Sequence, residues 1–259
     1  MNKTTIIVKP KLKALKLKRP ILVEGLPGIG LVGKLAADHL IKELKTEKIA
    51  ELYSPHFPHQ VLMSKKGTLR MLKNKFYSWK NPDKDGNDLV ILVGDVQPIT
   101  PEAQFEVCGR ILSFFKKLKG GMIFTLGGYG VGKVVEKPRV FGSATHKELV
   151  EKWKKHGILF GEANGSIIGA AGLLLGLGKL RGMKGVCLMG ETHGGYVDAK
   201  SAQSVLEVLC RILNIKIDLN KLEQRAKESE KFMKRMEKEA QKQLAEGGIR
   251  AGEELSYIR

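Results

Sequence analysis

Three short runs of the chain, DLVILVGD (88–95), GMIFTLGG (121–128) and MKGVCLMG (183–190), are apolar along almost their whole length without alternating. A strand with one wet face alternates polar and apolar residues, so unbroken runs of this length mark strands covered on both faces. Helical segments separate them. A helix from about Leu31 to Leu44 puts Val32, Ala36, Leu40 and Leu44 on one face. Another, from Pro101 to about Leu118, opens with Thr100 as cap, a proline at the first helical position and Glu102 in the first turn. A third, Ala199 to Leu213, takes Asp198 as its cap. Buried strand, loop and helix, repeated, predict an α/β domain with a mixed, largely parallel sheet covered on both faces.

Weaker signals fill in the rest of this domain, which is expected to span residues 1–217. Ile6 to Val8, Ile21 to Val23 and Ile49 to Leu52 read as strands, and Gln60 to Trp79 as a hairpin region. Thr145 and Glu148 fit a capping box for a helix through Trp153. Gly165 to Gly178 reads as a glycine-studded buried helix, and its apolar stretch from Ser166 falls short of the ~18 residues needed to span a bilayer. Beyond it the composition changes. The composition of residues 218–248 predicts a long helix dense in both charges, with a thin apolar seam at Leu222, Met233, Met236 and Leu244 that suits either solvent or a second subunit. Gly247 and Gly248 are expected to end it, with 249–259 expected as a flexible tail.

Lys and Arg number 45 against 27 Asp and Glu, a net charge of +18. That favours acidic partner surfaces, whereas the basic residues are mostly lysine with little aromatic interleaving, which argues against specific nucleic-acid recognition. Cys108, Cys187 and Cys210 lie far apart among apolar neighbours with no CxxC, which argues against a structural zinc site and suits a reducing cytoplasm. The lysine-broken N-terminal stretch lacks a signal-peptide core.

GLPGIGLVGK (25–34) carries a GxGxxG at Gly28, Gly30 and Gly33 and a near P-loop ending at Lys34. A P-loop needs Ser or Thr after its lysine to ligate magnesium, and here that position is Leu35. For a dinucleotide, Glu51 stands where a ribose-binding acid belongs, but Glu24 to Pro27 separate the strand from the first glycine. Read structurally, the glycines make a wide turn and let the helix approach the sheet, with Gly33 at the packing face. GETHGGYVDAKSA (190–202) follows a buried strand, where Glu191, His193 and Asp198 offer an acid, a base and an orienting group. The alternative function is therefore a nucleotide- or small-molecule-dependent enzyme using the Gly28 to Lys34 loop or the Glu191 to Asp198 loop. His56 and His59 share a metal-like spacing, but flanking prolines and the lack of nearby ligands argue against a metal.

GLPGIGLVGK, GDVQPITPEAQ, GGYGVG, GSIIGAAGLLLGLGKLRG and GETHGGYVDAKSA occur in an order that resembles archaeal members of the proteasome assembly chaperone family, in the branch of the second chaperone, over residues 4 to 245. The resemblance implies a three-layer α/β sandwich similar to phosphorylase-like and hydrolase-like proteins, no enzymatic activity and no cofactor. It also implies a cytoplasmic homo-oligomer, with or without a paralogous chaperone, whose C-terminal tails dock between α-subunits of the proteasome core particle. The family's tail ends in a hydrophobic residue, a tyrosine and any residue. Here Tyr257 is third from the end, Leu255 shares its face and Ile258 takes the tyrosine's register, so the implied anchors are Leu255, Tyr257, Ile258 and the carboxylate of Arg259.

Overall fold

The computed structural model describes residues 3–10, 12, 15–162, 165–222 and 224. At its centre four strands run parallel in the order β7 (Leu89–Gly94), β2 (Ile21–Gly25), β8 (Met122–Gly130) and β11 (Lys184–Thr192). These include the three unbroken apolar runs, and every residue of β2 and β7 is buried. Both flanks turn antiparallel. On the β7 side follow β6 (Asn74–Trp79), β3 (Glu47–Tyr53) and β1 (Thr5–Val8). On the other, β9 (Val140–Ala144) pairs antiparallel with β11, and β10 (Ile158–Phe160) lies parallel to β9. Parallel pairing thus dominates where both faces are covered, and antiparallel pairing where the sheet thins to its edges. A small hairpin, β4 (Val61–Met63) and β5 (Leu69–Met71), stands apart from the sheet.

Alternation within the central strands feeds two separate cores. Ile21 and Val23, Leu89, Ile91 and Val93, Phe124 and Leu126, and Val186 and Leu188 point to one face, covered by α1 (Val32–Glu43), α3 (Lys147–Trp153) and α5 (Ala199–Leu213). Leu22, Val90, Leu92, Ile123, Cys187 and Met189 point to the other, covered by α2 (Pro101–Lys117) and α4 (Ala170–Leu180). This is the expected three-layer sandwich.

The caps at Thr100 and Asp198 form as expected: the Thr100 side chain accepts from the Ala103 amide, and Asp198 Oδ1 accepts from the Ser201 amide at 2.9 Å. The capping box at Thr145 does not form. Helix α3 starts after His146, because the Thr145 hydroxyl instead accepts from the Gly185 amide at 2.9 Å and Glu148 pairs with Lys184 at 2.6 Å, both on β11. Helix α4 starts only at Ala170, since Gly169 holds φ 81° and ψ −159°, a conformation no helix admits.

Past α5 the chain still packs on the α1 and α5 side. Ile215, Ile217 and Leu219 lie against that core, and the Asp218 carbonyl meets His39 Nε2 at 2.7 Å. Leu222, expected on an intersubunit seam, is wholly buried under its own chain, where removal from water stabilises the fold by roughly 2 kcal/mol. The remaining seam positions, Met233, Met236 and Leu244, and the tail anchors Leu255, Tyr257, Ile258 and Arg259 lie outside the described residues.

Candidate functional site

Both loops singled out in the sequence sit at the carboxyl ends of the central strands, and they close on each other. Past β2 the chain turns through Gly28, makes a 3-10 turn at Ile29–Leu31 and enters α1. Gly30 supplies the positive φ of 62° for that turn, and a Cβ there would stand 2.8 Å from Thr192 Oγ1 at the end of β11. The Gly30 carbonyl accepts from the Asp198 amide at 2.9 Å, which bolts the first loop to the second. Gly33 faces β8 so closely that a Cβ would lie 2.0 Å from the Leu126 carbonyl oxygen. Its role is the close helix-to-sheet approach read from the sequence, and the first turn of α1 is filled by β8.

The nucleotide signals do not converge. Lys34 Nζ pairs with Asp38 at 2.8 Å along its own helix, and Leu35 packs against the core. Strand β3 is separated from β2 by β6 and β7, so Glu51 belongs to a different part of the sheet from the glycine loop. There it meets Lys73 Nζ at 2.9 Å, Tyr53 Oη at 2.8 Å and Lys48. Against the upward push of its partial burial, these hydrogen bonds hold its carboxyl down at about 2.

The acid, base and orienting group of the second loop are engaged elsewhere. Glu191 is buried and takes a fork from Arg139, whose Nη2 donates at 2.6 Å and Nε at 3.0 Å, with the Arg139 amide adding a third bond at 3.1 Å. The Arg139 hydrogen bonds hold its carboxyl below the usual range, against the upward push of burial. Asp198 spends one oxygen on its cap and the other on the Thr192 hydroxyl at 2.7 Å. His193 Nδ1 accepts from the Gly195 amide at 3.3 Å, and its ring stands 5.2 Å from that of Tyr196. The loop is a structural clasp with no acid-base relay. Among the described residues no three His, Cys, Asp or Glu side chains converge as metal ligands; exposed His56 instead faces Glu106 at 3.4 Å.

Further along the same strand ends the sheet is built differently. Glu24 on β2, Thr125 on β8 and Cys187 on β11 stand side by side in register, a polar row crossing an otherwise apolar face. Glu24 is 1% exposed. Its Oε1 accepts from the Leu26 amide at 2.7 Å, whereas Oε2 has no protein partner. Burial pushes this carboxyl up to about 8, with the Leu26 hydrogen bond pulling the other way, and burial pushes the Cys187 thiol to about 12. Beside Glu24 opens a cavity of about 640 Å³, bounded by the glycine loop, the end of β8 and the start of α4. Gln97 ties these walls together: its Nε2 donates to the Pro27 carbonyl at 2.7 Å and its Oε1 accepts from the Ala170 amide at 2.9 Å. In the sequence Glu24 is the first of the four residues that separate the strand from Gly28. What marks it is a lone carboxylate inside ILVEG, a strand with no polar-facing register to accept it.

A contrasting surface lies on the hairpin, where Val61, Met63, Leu69 and Met71 are exposed, Met63 by 83%. Single exposed apolar residues are ordinary, but four on one two-stranded hairpin form a patch suited to a partner.

Comparison with known proteins gives a consistent picture. The model of the PAC2 family matches residues 22–237. An uncharacterised protein of Methanocaldococcus jannaschii is 40% identical over 255 residues, 97% of each chain. Among solved structures, Pyrococcus furiosus PbaB, described as an archaeal proteasome activator, is 46% identical, with a TM-score of 0.85 over 92% of this chain and 100% of that one. Pyrococcus furiosus PbaA, described as an archaeal homolog of proteasome-assembly chaperone, is 26% identical, with a TM-score of 0.74 over 95% and 96%.

Proposed function

Because the chain belongs to the PAC2 family, we propose that it is a non-enzymatic proteasome-associated chaperone or activator, a homo-oligomer that presents its C-terminal tails to α-subunits of the core particle. The observation that carries this reading is the likeness to PbaB, 46% identical with a TM-score of 0.85 over nearly the whole fold. That likeness exceeds the one to PbaA, which favours action on the assembled particle over action during assembly. The clasped Glu191 loop agrees with a role that is not catalysis.

Multiple copies make such a role effective. A short tail binds weakly, but several tails on one oligomer gain affinity through effective concentration. The exposed hairpin around Met63 and Leu69 supplies one surface for self-association, and Met233, Met236 and Leu244 a second. The net charge of +18 steers the protein to an acidic partner surface in the cytoplasm.

The test is light scattering after size exclusion on the full chain and on a chain ending at Gly248, each alone and mixed with core particle from the same source. The full chain is expected to be an oligomer that co-elutes with the particle and raises its peptidase rate. The shortened chain is expected to keep its oligomeric state and lose both effects. Equal binding by the two removes Leu255, Tyr257, Ile258 and Arg259 as anchors, and a monomeric full chain removes the avidity argument.

A further inference from the structure

The cavity beside Glu24 is excess architecture for a docking scaffold. Its apolar lining includes Leu26, Ile167, Ala171 and Met189, and its polar wall is unbalanced. Gln104 Nε2 donates to Gln97 Oε1 at 3.3 Å and to the Pro98 carbonyl at 2.8 Å, which fixes the amide's orientation and leaves its Oε1 with no partner. Gln97 has its own oxygen and nitrogen engaged, as described above. Glu24 Oε2 is the second orphan, fully buried in the same wall. Among the described lining residues the unpartnered buried side-chain atoms are Glu24 Oε2 and Gln104 Oε1, both acceptors once Glu24 is ionised, and the Thr125 hydroxyl beside Glu24 in register is unpartnered as well. Leaving such groups unmatched costs about 1–3 kcal/mol each, so the wall calls for a donor from outside the chain.

We propose that this cavity is a binding site for a small organic amine or amidine with an apolar body, its nitrogen donating to Glu24 Oε2 and Gln104 Oε1 while its body lies against Leu26, Ile167 and Met189. The site follows from Glu24 and Gln104 alone and stands or falls independently of proteasome binding.

A protonated nitrogen also provides the charge that a buried carboxylate lacks. On binding, Glu24 gives its proton to solvent and remains as the anion paired with the cation. Its titratable neighbours are the Cys108 thiol from α2 and the Cys187 thiol from β11, both pushed up to about 12 by burial, and the Tyr129 phenol from β8 lines the cavity. The thiols stay protonated at neutral pH, so Glu24 carries the response. Affinity should tighten by roughly tenfold per pH unit as pH rises towards 8, then level off.

Benzamidine is the first probe, with benzoate and benzyl alcohol as shape-matched controls. On the full chain, millimolar benzamidine is expected to raise the melting temperature in a saturable way, whereas the controls do not. Calorimetry at pH 7 in Tris and in phosphate should show close to one proton released per benzamidine bound. Glu24→Gln, which keeps the shape of the side chain, should weaken benzamidine at least tenfold and abolish the proton release. If Glu24→Gln does not fold, Ile168→Trp at the cavity rim, where Ile168 is 87% exposed, reports binding with Glu24 intact through a saturable change in emission. Silence of benzamidine in both readouts, preference for benzoate, or undiminished binding by Glu24→Gln would each overturn the site and leave water as the partner of both oxygens.

Discussion

Glu191 and Glu24 are both buried carboxyls at the ends of adjoining parts of one sheet, and the chain treats them oppositely. Glu191, which has the parity of Cys187 and Met189 and so shares the α2 and α4 side with Glu24, meets the Arg139 fork, while on the α1 and α5 side both Asp198 oxygens are taken and Gly30 and Gly33 remove the remaining space. On the α2 and α4 side, Glu24 keeps an oxygen without a partner beside an open cavity. Glycine-rich loops and acids at strand ends therefore do not by themselves make a site. What separates a clasp from a pocket is whether the polar groups have already spent their bonds on each other.

The comparison breaks most visibly at Gly33. Gly33→Ala drives a methyl into the Leu126 carbonyl and should cost about 3 kcal/mol or more by denaturant unfolding, whereas the same swap in an open loop would cost far less. Second, the two acids should give opposite pH limbs. Glu24 has a raised carboxyl in the fold, so its contribution is present below the ordinary value near 4.5 and is lost as pH climbs to about 8, on the order of a few kcal/mol. Glu191 is lowered, so its contribution is present above the ordinary value and is lost as pH falls through its folded value. Glu24→Gln should flatten the alkaline limb of thermal stability and Glu191→Gln the acid limb. A single variant flattening both would refute the distinction. Third, Asp198→Ala strands the Ser201 amide and the Thr192 hydroxyl and should cost about 2 kcal/mol, visible as earlier loosening of α5 in hydrogen exchange. The smallest effect belongs to Lys34→Ala, which removes a half-exposed pair on α1; a change beyond ~0.5 kcal/mol would give that lysine a role the clasp does not.

How much the sequence disclosed follows the range of the interactions involved. Period and caps are local, and so the central strands, α1, α2 and α5 with the Thr100 and Asp198 caps were legible, as was the packing role of Gly33. Thr145 and Glu148 misled because their partners on β11 lie some 36 to 40 residues away and outbid the local cap. The glycines at 165 and 169 kept the spacing of a buried helix while their backbone did not, with φ of 125° and 81°. Strands β9 and β10 escaped notice since VFGSA and ILF are too short to show a period. The clasp and the cavity both depend on placements across the fold, Arg139 beside Glu191 and Gln97 and Gln104 beside the end of β2, which no spacing along the chain encodes.

The sheet order has a consequence for how the chain acquires its fold. Strand β11, the last of the sheet in sequence, lies between β8 and β9, both made long before it. During synthesis those two strands face a gap that residues 184–192 must enter, and α5, which covers the result, emerges later still. Closing such distant pairings comes late and leaves apolar edges open meanwhile. A neighbouring nascent copy offers an identical strand for the same slot, so exchange of β11 between chains is the misassembly that this strand order would permit.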